Sequence, residues 1–130
     1  MSGHHYFRDF YYSDSGMIPW LLLIENASVS GSTLTDLVKN MIIKFPVSGE
    51  INRTVSEPEK LLEMIKDHYL PFDPIIENLD GYSFDFGSWR FNLRMSNTEP
   101  LVRLNVESRN DAHLMQTKTE EVLELIEKLG

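Results

Sequence analysis

Residues 89–108 read WRFNLRMSNTEPLVRLNVES, and this stretch decides the fold. Apolar side chains alternate with polar ones from Trp89 to Arg94, and again from Val102 to Glu107. A period of two is typical of strands that bury one face and expose the other. The sequence therefore predicts a β-hairpin whose tip lies between the two runs and whose polar side carries Arg94.

The tip of this hairpin gathers hydrogen-bond donors in residues 94–100, Arg-Met-Ser-Asn-Thr-Glu-Pro. Arg94 can hold two oxygens of one anion through its guanidinium. Hydroxyl, amide and backbone N–H donors are added by Ser96, Asn97 and Thr98. Such a set suits a phosphate monoester. An ordinary Asn-containing turn, whose side chains bond their own backbone, is the alternative that these few residues leave open.

The hairpin is basic although the chain is acidic. Residues 88–109 hold four arginines and two glutamates, a net charge of +2, whereas the 130-residue chain carries −8. A locally basic segment in an acidic protein favours a small anion as its ligand. The overall charge argues against nucleic acid and against an anionic membrane as partners, because both demand a basic face.

Composition is that of an ordinary globular protein, with 42% hydrophobic and 25% charged residues. There is no cysteine, so a disulfide framework or a thiolate metal site is excluded. The longest apolar run, residues 17–24, is far shorter than the roughly 20 residues of a membrane helix. The first residues also lack the layout of a signal peptide. We therefore expect a cytoplasmic protein.

Two helices are predicted before residue 46 and a sheet-and-helix domain after it. Residues 46–49, Pro-Val-Ser-Gly, mark the boundary. Beyond it the predicted order is strand, helix, three strands and helix. The predicted fold class is α+β, with a four-stranded, mainly antiparallel sheet and two helices on one face. The strands are expected at residues 50–55, 82–86, 89–94 and 102–107.

The chain resembles the C-terminal part of the α-D-phosphohexomutases, most closely the bacterial phosphomannomutases. Residues 94–100 are similar to the family's phosphate-binding loop. Residues 1–4, Met-Ser-Gly-His, are similar to the end of its Gly-Glu-x-Ser-Gly-His sugar-binding loop. Two motifs in the expected order are more specific than either one. Residues 89–109 and 4–9 also resemble the mannose-directed members used in GDP-mannose synthesis.

The resemblance implies a domain organisation and a function. Residues 1–46 would be the tail of a third, mixed α/β domain, and residues 47–130 a C-terminal phosphate-binding domain of TATA-binding-protein-like fold. The intact enzyme would convert mannose 6-phosphate to mannose 1-phosphate through a phosphoserine and a bisphosphorylated sugar. The implied partners are a hexose phosphate and the N-terminal domains of the same enzyme.

The resemblance also assigns roles to residues. The phosphate that does not react would be held by four residues of the tip, namely Arg94, Ser96, Asn97 and Thr98. Ser2 would contact the sugar hydroxyls. His4 would contact the sugar and is the catalytic candidate, because imidazole transfers protons near neutral pH. Arg103 could add charge to the phosphate site, but we expect it to be a solvated strand residue.

Two segments of the family do not occur in these 130 residues: the Ser-His-Asn-Pro of the phosphoserine and the Asp-x-Asp-x-Asp loop that holds Mg²⁺. We therefore expect no metal ligand and no cofactor site in this chain, with Mg²⁺ belonging to the intact enzyme. The expectation is an inactive piece of a larger enzyme, or a truncated reading frame. A freestanding anion-binding module without catalysis is the alternative.

Overall fold

The computed structural model describes residues 4–130. The chain divides into two compact units, the first ending at Ile42 and the second beginning at Ile43. No helix in the described part of the chain is long and apolar enough to cross a membrane. The first unit is mainly helical, and the second contains the sheet that carries the predicted phosphate site.

The first unit consists of a 3-10 turn at Arg8–Phe10, helix α1, Met17–Ser30, and most of helix α2, Leu34–Lys44. Gly31 ends α1 in the left-handed region, with φ at 65°. Thr33 caps α2, because its hydroxyl accepts the backbone N–H of Asp36 at 3.1 Å. Within residues 17–44 neither helix has a buried side chain.

The second unit, described throughout, contains five strands and two further helices. In chain order they are β1, Ile51–Thr54; α3, Pro58–Tyr69; β2, Ile75–Asn78; β3, Tyr82–Asp85; β4, Trp89–Met95; β5, Leu101–Ser108; and α4, Ala112–Leu129. The Asp111 carboxylate caps α4 by accepting the backbone N–H of Leu114 at 2.8 Å. The hairpin predicted from residues 89–108 is β4 and β5.

All neighbouring strands are antiparallel, in the order β1-β5-β4-β3-β2. In the central pair Leu93 lies opposite Leu104, and the next pair is Arg94 opposite Arg103. Successive side chains of a strand point to opposite faces. The leucines therefore lie on one face of the sheet and the two arginines lie side by side on the other.

Both helices cover the apolar face. Residues of α3 and α4 share one core cluster with the apolar residues of the strands. The helical members are Leu61, Leu62, Ile65, Tyr69, Val122 and Ile126. The rings of Phe84 and Phe91 stack with centroids 4.5 Å apart on this face. The opposite, polar face of the sheet is left without a helix from this unit.

The predicted α+β class, with an antiparallel sheet and two helices on one face, is confirmed. The predicted strand count is wrong, because the sheet has five strands rather than four. The additional strand is β2, which pairs with β3 from Ile75 opposite Asp85 to Asn78 opposite Tyr82. It is a four-residue edge strand that follows Pro74, and 70% of Ile75 is exposed. So short and exposed an edge strand has little periodic signal in its sequence.

We predict that Leu104→Ala lowers the free energy of unfolding by about 2–5 kcal/mol, because Leu104 is fully buried at the centre of the hairpin. Urea unfolding followed by circular dichroism measures the change. Leu79→Ala is the matched control, since 94% of Leu79 is exposed, and it should change the stability by less than about 0.5 kcal/mol. Equal losses in the two variants would contradict this description of the core.

Candidate functional site

Within the hairpin tip, residues 96–100 form the turn between the end of β4 and the start of β5. The Ser96 backbone N–H donates to the carbonyl of Leu101 at 3.0 Å, which closes the turn. The Thr98 backbone N–H donates to the Ser96 hydroxyl at 3.4 Å. These local bonds are the ones expected of an ordinary turn. Asn97 and Thr98 are nevertheless exposed, so their side chains can reach a ligand.

Arg94 projects from the polar face of β4 next to this turn, and its side chain is paired with two carboxylates. Its Nη2 lies 2.9 Å from Glu50 Oε2, and its Nη1 lies 3.4 Å from Asp80 Oδ2. The side chain is only 23% exposed. Both terminal nitrogens of the guanidinium therefore face carboxylates of the same chain, and any further anion has to compete with them.

Arg103 belongs to the same cluster. It lies directly opposite Arg94 in the sheet, and its Nη1 lies 3.2 Å from Glu50 Oε1. The expectation that Arg103 is simply solvated is wrong. Glu50 places one carboxylate oxygen on each arginine, which offsets the repulsion between like charges on facing strands. The Nε atoms of both arginines are buried and find no hydrogen-bond partner among the described residues.

Asp80 is held near Arg94 by a tight turn between β2 and β3. Gly81 follows it with φ at +72°, and a Cβ built on Gly81 would lie 2.3 Å from the carbonyl oxygen of Leu93. Only glycine allows this approach, because any side chain would collide with the backbone of β4. The Asn92 side-chain amide donates to the Asp80 carbonyl at 3.0 Å and fixes the turn further.

The cluster is electrically balanced. Arg94, Arg103, Glu50 and Asp80 contribute two positive and two negative charges. The hydrogen bond from Arg94 is the main reason why the pKa of Glu50 lies below its ordinary value, and the charge of Arg103 lowers it further. Glu50 is therefore ionised at neutral pH, and the corner has no surplus positive charge before a ligand arrives.

His4 belongs to the first unit and is paired with Asp14. Its Nδ1 lies 2.5 Å from Asp14 Oδ2, and Asp14 Oδ1 accepts the backbone N–H of His5 at 3.2 Å. The hydrogen bond with His4 lowers the pKa of Asp14. A carboxylate at Nδ1 favours the tautomer that leaves Nε2 free to accept a proton. Ser2, the other residue assigned to the sugar, lies outside the described residues.

Three acidic residues of these clusters were not identified from the sequence: Asp14, Glu50 and Asp80. Asp14 is most simply read as a helix cap, and Asp80-Gly81 as a turn signal. Two arginines at facing positions do indicate that a counterion is needed. The pattern does not say which carboxylate supplies it, since Glu50 is 44 residues from Arg94 in the chain.

Within residues 4–130 no group of three or more histidine, aspartate or glutamate side chains is arranged to hold a metal ion. The described residues therefore do not fit the Mg²⁺ that the family resemblance implies.

Comparison with known proteins defines the class. Residues 50–124 match the model of the phosphoglucomutase/phosphomannomutase C-terminal domain. Residues 1–45 match the model of the phosphoglucomutase/phosphomannomutase alpha/beta/alpha domain III. The first match alone covers more than half of the chain. The chain belongs to the phosphoglucomutase/phosphomannomutase family.

Curated relatives are similar over nearly the whole chain. A protein of Xanthomonas campestris pv. campestris (strain B100) named phosphohexose mutases is 55% identical over 126 residues. Phosphomannomutases of Salmonella montevideo and Escherichia coli (strain K12) are 51% and 49% identical over the same number of residues. Each alignment covers 97% of this chain but only 28% of the relative. The chain thus spans little more than a quarter of the length of these proteins.

We predict that Gly81→Ala destabilises the second unit by about 1–3 kcal/mol more than Gly87→Ala. Both glycines have positive φ, so alanine is strained at either position by about 1–2 kcal/mol. Only at Gly81 would the new Cβ also meet the backbone of β4, whereas nothing lies within 4 Å at Gly87. Urea unfolding of the two variants measures the difference. Equal stability of the two variants would show that a Cβ at position 81 does not collide with the backbone of β4.

Proposed function

We propose that this chain is the C-terminal, phosphosugar-binding part of a phosphomannomutase. The intact enzyme would convert mannose 6-phosphate to mannose 1-phosphate through a phosphoserine and a bisphosphorylated sugar, and so supply GDP-mannose synthesis. Residues 1–46 would be the tail of the third domain and residues 47–130 the phosphate-binding domain. The observation that carries the proposal is that Arg94, near the end of β4, is followed in the same hairpin by the exposed donors of Asn97 and Thr98.

In this proposal the tip binds the phosphate that is not reacting. Arg94 supplies positive charge and bidentate hydrogen bonds. Further hydroxyl and amide donors come from Ser96, Asn97 and Thr98. Because a remote phosphate is anchored, binding energy can position the reacting oxygen at the distant end of the sugar. The hairpin suits this role, since its strands are fixed by the core on the opposite face.

His4 would contact the sugar in the intact enzyme, together with Ser2. Asp14 would orient the imidazole by accepting from Nδ1–H, which leaves Nε2 to exchange a proton with a sugar hydroxyl. Mg²⁺ and the phosphoserine would come from parts of the enzyme other than these residues. The name of these relatives, phosphomannomutase, supports mannose phosphate as the substrate.

A freestanding anion-binding module is the second candidate. It is favoured by the fact that the anion-binding donors lie in one compact unit, residues 43–130, while His4 lies in the other. Such a module would bind phosphate without taking part in turnover. The two candidates differ in whether loss of Arg94 changes catalysis.

We predict that inorganic phosphate or mannose 1-phosphate shifts the backbone amide resonances of residues 94–98 in the 130-residue chain. The affinity should be weak, in about the millimolar range, because one loop supplies few of the contacts. A titration followed by ¹H–¹⁵N NMR at pH 7 measures it. Arg94→Ala should abolish saturation by removing the charged donor.

Arg90→Ala is the matched control, because it removes the same charge from the same strand and the same face of the sheet. Arg90 is paired with Glu107 at 2.8 Å, at the other end of the hairpin. This variant should retain the phosphate response. If the amides of residues 94–98 stay unmoved at saturating ligand, the assigned phosphate site is refuted.

We further predict that Arg94→Ala, in a full-length enzyme containing this chain, raises KM and lowers kcat together. The remote phosphate would be bound more weakly both in the ground state and in the transition state, and the sugar would be positioned less well. Steady-state kinetics with mannose 1-phosphate measures both constants, with Arg90→Ala as control. Unchanged constants would refute the role assigned to Arg94.

A further inference from the structure

Among the described residues, Glu50 is the one whose side chain pairs with both Arg94 and Arg103. Its Oε2 lies 2.9 Å from Arg94 Nη2, and its Oε1 lies 3.2 Å from Arg103 Nη1. A carboxylate with one oxygen on each of two guanidinium groups is arranged much as a bridging phosphate would be. The contact therefore concerns the same donors to which the proposed function assigns the ligand.

The backbone holds Glu50 firmly in this place. Val47 forms an antiparallel bridge with Glu107, and the Ser48 hydroxyl accepts the backbone N–H of Val106 at 2.9 Å. Gly49 then turns the chain with φ at +72°, and β1 begins at Ile51. Since β1 pairs with β5 after Glu50 and the bridge at Val47 pairs with β5 before it, the backbone at Glu50 is anchored from both directions.

The register of β1 explains why Glu50 faces the arginines. Asn52 lies opposite Arg103, so the two share the polar face of the sheet. Residues two apart in a strand point to the same side. Glu50 directly precedes β1, two residues from Asn52, and on that face its side chain reaches both guanidinium groups.

A phosphate bound to Arg94 would share the guanidinium with carboxylates that are already there. One N–H of each terminal nitrogen of Arg94 is directed at Glu50 or Asp80, and a bidentate contact with phosphate would use at least one of these nitrogens. A dianion placed beside an ionised Glu50 would also be repelled by it. The least costly route is exchange, in which one carboxylate leaves the guanidinium as the phosphate arrives.

We propose that Glu50 is an internal competitor that sets the phosphate affinity of the hairpin tip. In the ligand-free protein it occupies Arg94 and Arg103 and keeps the two like charges together. On binding, phosphate takes over Arg94 Nη2 and Glu50 retains its contact with Arg103. The affinity is thereby kept low, which eases the release of a phosphorylated product. This inference rests on the proposed function of the tip.

The test is a phosphate titration of Glu50→Gln in the 130-residue chain, with the amides of residues 96–98 as the readout. Glutamine keeps the shape of the side chain and removes its charge, so inorganic phosphate should bind about threefold to tenfold more tightly than to the original chain. Glu107→Gln is the matched control, because it removes an equal charge from the ion pair between Arg90 and Glu107 on the same face. Its dissociation constant should stay within about twofold of the original.

A second measurement does not depend on any variant. In the unsubstituted chain, the ¹³Cδ resonance of Glu50 should move along the phosphate titration with the same dissociation constant as the amides. The ¹³Cδ resonance of Glu107 should not move during the same titration. This readout decides the matter if Glu50→Gln loses its folded NMR spectrum.

The outcomes separate the two proposals. If phosphate shifts the tip amides but Glu50→Gln binds equally or more weakly, Glu50 positions the arginines rather than competes, and this inference is overturned while the phosphate site stands. If phosphate moves the amides of no variant, the phosphate site fails and the inference fails with it. Binding detected only in Glu50→Gln would support both.

Discussion

The register of the β4–β5 hairpin is the constraint on which the rest of the structure depends. Leu93 is opposite Leu104, and both are fully buried beneath α3 and α4. Because the side-chain period of a strand is two, Arg94 and Arg103 must then emerge together on the other face. A slip of one residue would place arginines in the core and leucines in water. The same pairing thus fixes the core and places Arg94 beside Arg103 on the polar face.

Two arginines at facing positions repel one another, and the fold compensates with acidic residues brought from elsewhere. Glu50 comes from the segment before β1, and Asp80 from the turn before β3. Their ion pairs are partly exposed, so each contributes modestly to stability. In the proposed function these carboxylates also matter for the ligand, because a phosphate that binds Arg94 would compete with them for the guanidinium.

Much of the second unit could be predicted from local patterns. The alternation of apolar and polar residues in 89–108 indicated the hairpin of β4 and β5. Strand β2 was missed because it has four residues, follows a proline and exposes Ile75. Its strand conformation is imposed by pairing with β3, which a local pattern does not encode. The sequence also suggested a solvated Arg103, since the pattern of a strand does not show which distant carboxylate will pair with its arginine.

The sequence by itself determined the α+β class, the face on which Arg94 lies, the donors of the tip and the resemblance to a family of phosphosugar enzymes. Those features depend on residues close together in the chain, whose period and turn chemistry can be read directly. Only the tertiary structure decided that Glu50 and Asp80, 44 and 14 residues away, meet Arg94, and that Asp14 meets His4. Such contacts follow from strand pairing and from turns, so the identity of each partner is fixed by the fold as a whole.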